Sequence, residues 1–196
     1  MNVCVVYTPR SGSQYYCANL AESLNCKNYS EILNQRIFGP YMHDVYLNQI
    51  ARSNNSVFKI CSYQWEQLQK QFKTPILARC LDLADRLDFL VRKDYNAQLR
   101  SFYAAFKLNR SHNMSGHHQY TNEIDIEYNE DLYMALNDSL IDRYTKHSQL
   151  YHDDSLFKPK NLVYFEDFQT PEKRLSRPVV WDLEPPIIDF EPCGLF

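Results

Sequence analysis

Short apolar runs rich in β-branched and aromatic residues recur along the chain between more polar stretches. Runs of this kind, bounded by turn-forming residues, predict buried strands of a parallel sheet. The predicted strands span residues 3–7, 28–33, 57–61, 87–91 and 161–165. The last of them is expected in a central position.

The segments between these strands carry apolar residues three and four positions apart, which predicts amphipathic helices. Helices are predicted after residue 13, at 65–72, after an Asp94 N-cap and at about 130–151. The apolar faces of the first, third and fourth comprise Cys17, Leu20, Ala21 and Leu24; Leu99, Phe102, Tyr103 and Phe106; and Tyr133, Leu136, Leu140, Tyr144 and His147. Polar segments at 34–44 and 109–122 are predicted to be loops.

Alternating strands and helices predict an α/β fold, with a central, mostly parallel sheet between two helical layers. Residues 1–172 would form this domain. Five of the nine prolines lie between Pro171 and Pro192, so residues 173–196 are predicted to form a tail without regular structure that packs on the same domain.

Composition narrows the function classes. The chain of 196 residues has 21 basic and 24 acidic side chains, which argues against nucleic-acid binding by bulk charge. The six cysteines form no CxxC pair, and the first residues lack a basic segment before their short apolar run. We therefore expect reduced cysteines, no membrane span and a cytoplasmic location.

Two segments are predicted at the carboxyl ends of strands, where α/β sheets bind ligands: residues 9–13 and 92–94. The first reads Pro9-Arg10-Ser11-Gly12-Ser13-Gln14 and leads into a helix. A helix start offers free N–H groups to an anion, Gly12 allows close approach, and Arg10 adds a cation. The segment lacks the Walker A pattern but suits a phosphate.

The letters of this segment and of two others resemble the sulfotransferase family. Residues 7–13, YTPRSGS, resemble the 5′-phosphosulfate loop in the PRSGS form common among bacterial carbohydrate and protein-tyrosine types. Residues 89–94, FLVRKD, followed by Gln98 and Ser101, are similar to the family's 3′-phosphate motif. Residues 162–168, LVYFEDF, are similar to its late YEDL strand.

The resemblance implies a P-loop-like three-layer fold and transfer of a sulfuryl group from 3′-phosphoadenosine 5′-phosphosulfate. Residues 9–14, with Tyr15, would clamp the 5′-phosphate, and Arg10 would stabilise developing charge. Ser101 with either Arg92 or Lys93 would hold the 3′-phosphate. No metal is implied. The acceptor would be a hydroxyl or amine of a small molecule or carbohydrate, with protein tyrosine a weaker candidate.

The resemblance also suggests a base for the acceptor proton. The His that follows a strand Lys in many eukaryotic members is missing at Lys59-Ile60-Cys61. Other members use a Glu one strand after the loop, which places Glu31 in that role; the alternative is a surface Glu at a strand end. Glu166 and Asp167 are expected to be structural. The family's Arg-Lys-Gly-x-x-Gly segment is absent, so an inactive nucleotide-binding relative is a further alternative.

The residues favour two other chemistries less strongly. Cys4-x5-Arg10 followed by Ser11 is also the phosphate-loop pattern of low-molecular-weight phosphatases, but here the intervening residues read as a strand that would bury Cys4. His112, His117 and His118 lie in a polar segment without a fixed Asp or Cys partner. We expect them to be exposed side chains rather than metal ligands.

Overall fold

The computed structural model describes residues 1–33, 42–62, 76–108, 124–168 and 179–196. Within them, seven strands form a five-stranded and a two-stranded sheet. The strands are β1 Asn2–Tyr7, β2 Lys27–Glu31, β3 Ser56–Cys61, β4 Arg86–Val91, β5 Ile124–Ile126, β6 Lys160–Tyr164 and β7 Val179–Trp181.

Five α-helices accompany these strands in the described residues. They are α1 Ser13–Ser23, α2 Met42–Ala51, α3 Ile76–Leu83, α4 Tyr95–Lys107 and α5 Glu130–Tyr151. Two short 3-10 helices span Phe165–Phe168 and Pro192–Leu195. Asp94 caps α4 as predicted, since its Oδ1 accepts a hydrogen bond from the Ala97 backbone at 2.9 Å.

The main sheet has the order β2-β3-β1-β4-β6, and all four of its strand pairs are parallel. The predicted α/β class with helices around a central sheet is confirmed. β1 is the middle strand, and the chain moves from β3 on one side of it to β4 on the other. The carboxyl end of β1 is therefore the switch point at which sheets of this class bind ligands.

Alternate side chains of β1 enter two separate cores. Val3, Val5 and Tyr7 pack with Tyr16 and Cys17 of α1. Cys4 and Val6 face the opposite core, to which α2 and α3 contribute Leu47, Ile50, Cys80 and Leu81. A third core joins α4 to α5 through residues such as Leu99, Tyr103 and Leu140. Every β1 side chain from Val3 to Tyr7 is buried, as its unbroken apolar run predicts.

Some predictions about the elements were wrong. Residues 42–44 of the loop predicted at 34–44 belong to α2, which begins at Met42, and residues 34–41 lie outside the described residues. The sequence pattern did not predict α2 or α3. The strand predicted at 161–165 is not central, since β6 lies at an edge of the described sheet. The helix predicted at 65–72 and the loop at 109–122 lie outside the described residues.

The apolar faces predicted for α5 and α4 differ in how well they match the structure. The five apolar residues predicted for α5 are all buried, so that face is confirmed. In α4, by contrast, Phe106 is 57% exposed and does not belong to the buried face.

The tail carries more order than its prolines predict. Residues 179–181 contain no proline and form β7, which pairs in parallel with β5. Further along, Asn96 of α4 donates to the Ile188 carbonyl at 3.0 Å and accepts from the Ile188 N–H at 2.8 Å. Phe190 packs against Tyr95 with ring centroids 4.7 Å apart. Residues 188–190 of the tail therefore lie against α4.

Candidate functional site

The segment between β1 and α1 turns sharply at two residues. Arg10 has a φ of 62°, and Gly12, the N-cap of α1, has a φ of 82°. Gly12 has no side chain that could accept hydrogen bonds from the N–H groups at the start of α1. Ser11 is fully buried, and among the described residues its Oγ has no hydrogen-bond partner. This geometry suits an anion.

Gly12 is required here because an aromatic ring lies against it. A Cβ built at Gly12 would lie 2.1 Å from Cε2 of Phe165. Phe165 follows β6 directly, and its ring also contacts Tyr15 edge-on at 6.3 Å and lies 5.4 Å from the Arg92 guanidinium. The late strand and the loop are therefore packed together through one ring.

Arg10 and Ser101, 91 residues apart in sequence, meet at the site. Nε of Arg10 donates to Oγ of Ser101 at 3.0 Å. Arg92, just beyond β4, donates from Nη1 to the Arg10 carbonyl at 3.4 Å. Desolvation of the Arg10 guanidinium and the neighbouring charge of Arg92 lower the pKa of Arg10. Two arginines and a serine from two predicted motifs thus form one cationic cluster.

Lys93 has a different environment from Arg92. Its Nζ donates to Asp167 at 2.8 Å and lies 4.6 Å from the Tyr164 ring centroid. The carboxylate of Glu166 accepts from the backbone N–H groups of Lys93 and Asp94 at 2.9 and 3.1 Å. Glu166 and Asp167 therefore order the segment after β4, the structural role that the sequence assigned to them.

The remaining loop residues also make defined contacts. Oε1 of Gln14 accepts a hydrogen bond from the Ser30 hydroxyl at 3.3 Å. The Pro9 carbonyl accepts one from Gln98 Nε2 at 2.7 Å. Residues 9–14 are thus tied both to β2 and to α4, on the two sides of β1.

Lys59 belongs to this site, although sequence reasoning did not assign it a role. It is 2% exposed, and its Nζ donates to Ser13 Oγ at 3.1 Å and lies 4.8 Å from the Tyr7 ring centroid. Burial lowers the pKa of Lys59, and the negative charge of Glu31 opposes that effect. The sequence feature that could have indicated this role is a single charged residue within the apolar run VFKIC.

Glu31 reaches Lys59 through an irregularity in β2. The β2–β3 register shifts between Asn28 and Glu31, so that Glu31 pairs with Lys59. Ser30 in this bulge has a φ of 56°. A one-residue slip moves a side chain to the other face of a sheet. Glu31 is 5% exposed, and its charge and hydrogen bond contribute to raising the pKa of Tyr7, after burial.

The phosphatase alternative requires a reactive thiol at Cys4. Cys4 is fully buried in the central strand, and burial raises its pKa well above the usual value. A neutral thiol inside a strand is not a nucleophile. All six cysteines lie in the described residues and none forms a disulfide.

Neither a cluster of metal ligands nor a membrane-spanning helix is found among the described residues. These residues contain no group of three or more His, Cys, Asp or Glu side chains arranged to hold a metal ion. None of their helices is long and apolar enough to cross a membrane. His112, His117 and His118 lie outside the described ranges.

No protein-family model, curated protein or solved structure matches the chain.

Proposed function

We propose that this protein is a sulfotransferase, which moves a sulfuryl group from 3′-phosphoadenosine 5′-phosphosulfate to a hydroxyl or amine of a small-molecule or carbohydrate acceptor. The observation that carries the proposal is the contact of Arg10 with both Arg92 and Ser101. These residues come from two separate sequence motifs that resemble the family, and they meet at the carboxyl ends of β1 and β4.

The residues present fit a donor with two phosphate groups. The start of α1, which no Gly12 side chain caps, and the Ser11 hydroxyl, which has no partner among the described residues, would supply N–H and O–H donors for the 5′-phosphosulfate. Arg92 and Ser101 lie on the α4 side of Arg10 and would hold the 3′-phosphate. The donor supplies an activated sulfuryl group. Arg10 would stabilise the charge that develops on the leaving phosphate.

The contacts favour Arg92 over Lys93 as the residue for the 3′-phosphate. Lys93 is engaged by Asp167, and its ammonium lies at the Tyr164 ring, whereas Arg92 contacts the backbone of the phosphate loop. Arg92 also has Glu166 at 3.8 Å, which holds its guanidinium in position. A guanidinium so held can form two parallel bonds to a phosphate.

Glu31 would accept the proton from the acceptor. It lies next to Lys59, whose ammonium contacts Ser13 at the start of α1. A carboxylate and a cation side by side can serve separate roles, since Glu31 would take the proton while Lys59 supports the charge of the donor. Burial of both side chains keeps water from competing.

The test measures affinity for the product 3′,5′-bisphosphoadenosine against 5′-AMP by calorimetry. Wild type should prefer the bisphosphate by at least about a hundredfold, since a charge-assisted phosphate contact contributes roughly 1.5–3 kcal/mol and two such contacts are lost in 5′-AMP. Arg92→Ala and Ser101→Ala should each lose most of this preference. Lys93→Ala is the matched control and should retain it.

Equal affinity of wild type for the two nucleotides would overturn the proposal. Loss of the preference in Lys93→Ala alone would move the 3′-phosphate to Lys93. Turnover is then followed as release of bisphosphate from the donor in the presence of phenols and simple sugars. Tight binding without release for any acceptor would indicate the inactive nucleotide-binding relative.

A further inference from the structure

Gln98 is a fully buried amide that connects the phosphate loop to two other elements. Its Nε2 donates to Thr8 Oγ1 at 3.0 Å and to the Pro9 carbonyl at 2.7 Å. Its Oε1 accepts a hydrogen bond from the Tyr144 hydroxyl of α5. Gln98 is 0% exposed, as are Thr8 and Tyr144.

The chemistry of the partners fixes the orientation of this amide. The Pro9 carbonyl can only accept, so the NH₂ group must face the loop and the oxygen must face Tyr144. Burial raises the pKa of Tyr144 to about 12, so its hydroxyl keeps the proton that it donates. The same hydroxyl accepts a hydrogen bond from the backbone N–H of Arg92 at 3.3 Å. The two motif segments therefore share one polar connection.

The connection acts on the peptide that leads into Arg10. Pro9 and Arg10 share the peptide whose oxygen Gln98 holds, and Arg10 has a φ of 62°. Side-chain-bearing residues rarely adopt this conformation unless their surroundings impose it. With the carbonyl fixed, the Arg10 side chain is directed to Ser101.

We infer that Gln98 is a positioning residue that holds residues 8–12 in the anion-binding conformation, and that Tyr144 holds Gln98. The identity of the anion rests on the proposed function, but the effect on the loop does not. Gln98 acts through the loop rather than by contact with the donor or the acceptor. Loss of the Gln98 amide should increase the mobility of residues 8–12 while the domain stays folded.

The experiment compares Gln98→Met and Tyr144→Phe with Tyr95→Phe. Methionine keeps the length of Gln98 without its hydrogen bonds, and Tyr144→Phe removes only the hydroxyl. Tyr95→Phe is the matched control, because the Tyr95 hydroxyl links the same two helices through Asn137 at 2.9 Å without contacting the loop. Trypsin cleavage after Arg10 and amide exchange in residues 10–14 report the loop. Calorimetry reports binding of 3′,5′-bisphosphoadenosine.

Gln98→Met should speed cleavage after Arg10 by about tenfold or more and weaken the bisphosphate by a similar factor, since buried groups lose their partners. Tyr144→Phe should show the same pattern to a smaller extent, and the double variant should match Gln98→Met. Tyr95→Phe should change neither the cleavage rate nor the affinity for the bisphosphate, even if it lowers the melting temperature as much as Tyr144→Phe does.

Equal cleavage rates in wild type, Gln98→Met and Tyr144→Phe would overturn the inference. The same holds if Tyr95→Phe frees the loop as much as Tyr144→Phe does. Should Gln98→Met fail to fold, Tyr144→Phe decides alone. If wild type does not bind the bisphosphate, the proposed donor is wrong, while the cleavage and exchange rates still decide the role of Gln98.

Discussion

Gly12→Ala tests whether the loop and the late strand depend on each other. The change adds one methyl group at a residue with a φ of 82°. The new Cβ would lie 2.1, 2.2 and 2.8 Å from three ring atoms of Phe165. Either the ring or the loop must move, and the ring lies beneath the Arg92 guanidinium at 5.4 Å.

Two costs add up in this variant. The left-handed conformation costs a residue with a Cβ roughly 1–2 kcal/mol. Forcing a methyl group into a filled contact costs about 1–3 kcal/mol more. The free energy of unfolding should therefore fall by about 2–5 kcal/mol, a large share of the roughly 5–15 kcal/mol typical of a domain.

Urea unfolding followed by circular dichroism measures this loss. Gly194→Ala is the matched control, because a Cβ there meets nothing within 4 Å. That variant should change the free energy of unfolding by no more than about 1 kcal/mol, and in the stabilising direction if at all. The affinity for 3′,5′-bisphosphoadenosine should fall in Gly12→Ala and not in Gly194→Ala.

A second substitution separates the two costs. Phe165→Leu shortens the ring side chain, so Gly12→Ala should cost less in the Phe165→Leu background than in wild type, with the conformational part remaining. A Gly12→Ala variant as stable as Gly194→Ala would refute the reasoning. So would equal costs of Gly12→Ala in the two backgrounds, because the ring contact would then carry no energy.

Three further predictions concern Glu31, His147 and Cys4. Glu31→Gln should lower kcat by roughly 10²–10⁴ while leaving donor affinity within a few-fold; an unchanged kcat would exclude Glu31 as the base. Burial lowers the pKa of His147 from 6.5 to about 3, so the unfolded chain binds the proton more tightly. Stability should fall as pH drops from about 6.5 to 3, by up to about 1.4 kcal/mol per pH unit, and urea unfolding of His147→Leu should show a shallower decline. Alkylation of the native protein, followed by mass spectrometry, should modify the partly exposed Cys26 and Cys193 before Cys4; modification of Cys4 first would revive the phosphatase alternative.

Local pattern determined most of the sheet and the helix α5 from sequence alone. An unbroken apolar run such as residues 3–7 buries both faces of its strand wherever that strand lies in the sheet. Likewise, the five-residue stripe of α5 needs a buried partner whichever helix supplies it. A short helix offers less evidence of its period than a long one. The eight residues of α3 are amphipathic, but they span little more than two turns, and no helix was predicted for them from the sequence.

Position in the sheet was decided by tertiary structure. Nothing in residues 160–164 distinguishes an edge strand from a central one, because helices and the tail can cover its apolar groups either way. The tail is a second example. A proline prevents strand pairing only at its own position, because it has no N–H to donate, and β7 forms at residues 179–181, which contain no proline.

Part of the candidate site could also be predicted from the sequence, and part depended on the tertiary structure. Sequence alone indicated residues 9–14 and the segment after β4 as candidate ligand sites, since turn residues and cations at strand ends are local signals. Only the fold placed Lys59 under Ser13, which depends on the register between β1 and β3. Only the fold turned Glu31 towards Lys59, because a one-residue bulge decides which face a side chain occupies. Contacts between residues such as Thr8 and Gln98, 90 positions apart, arise from chain topology, which composition and spacing do not encode.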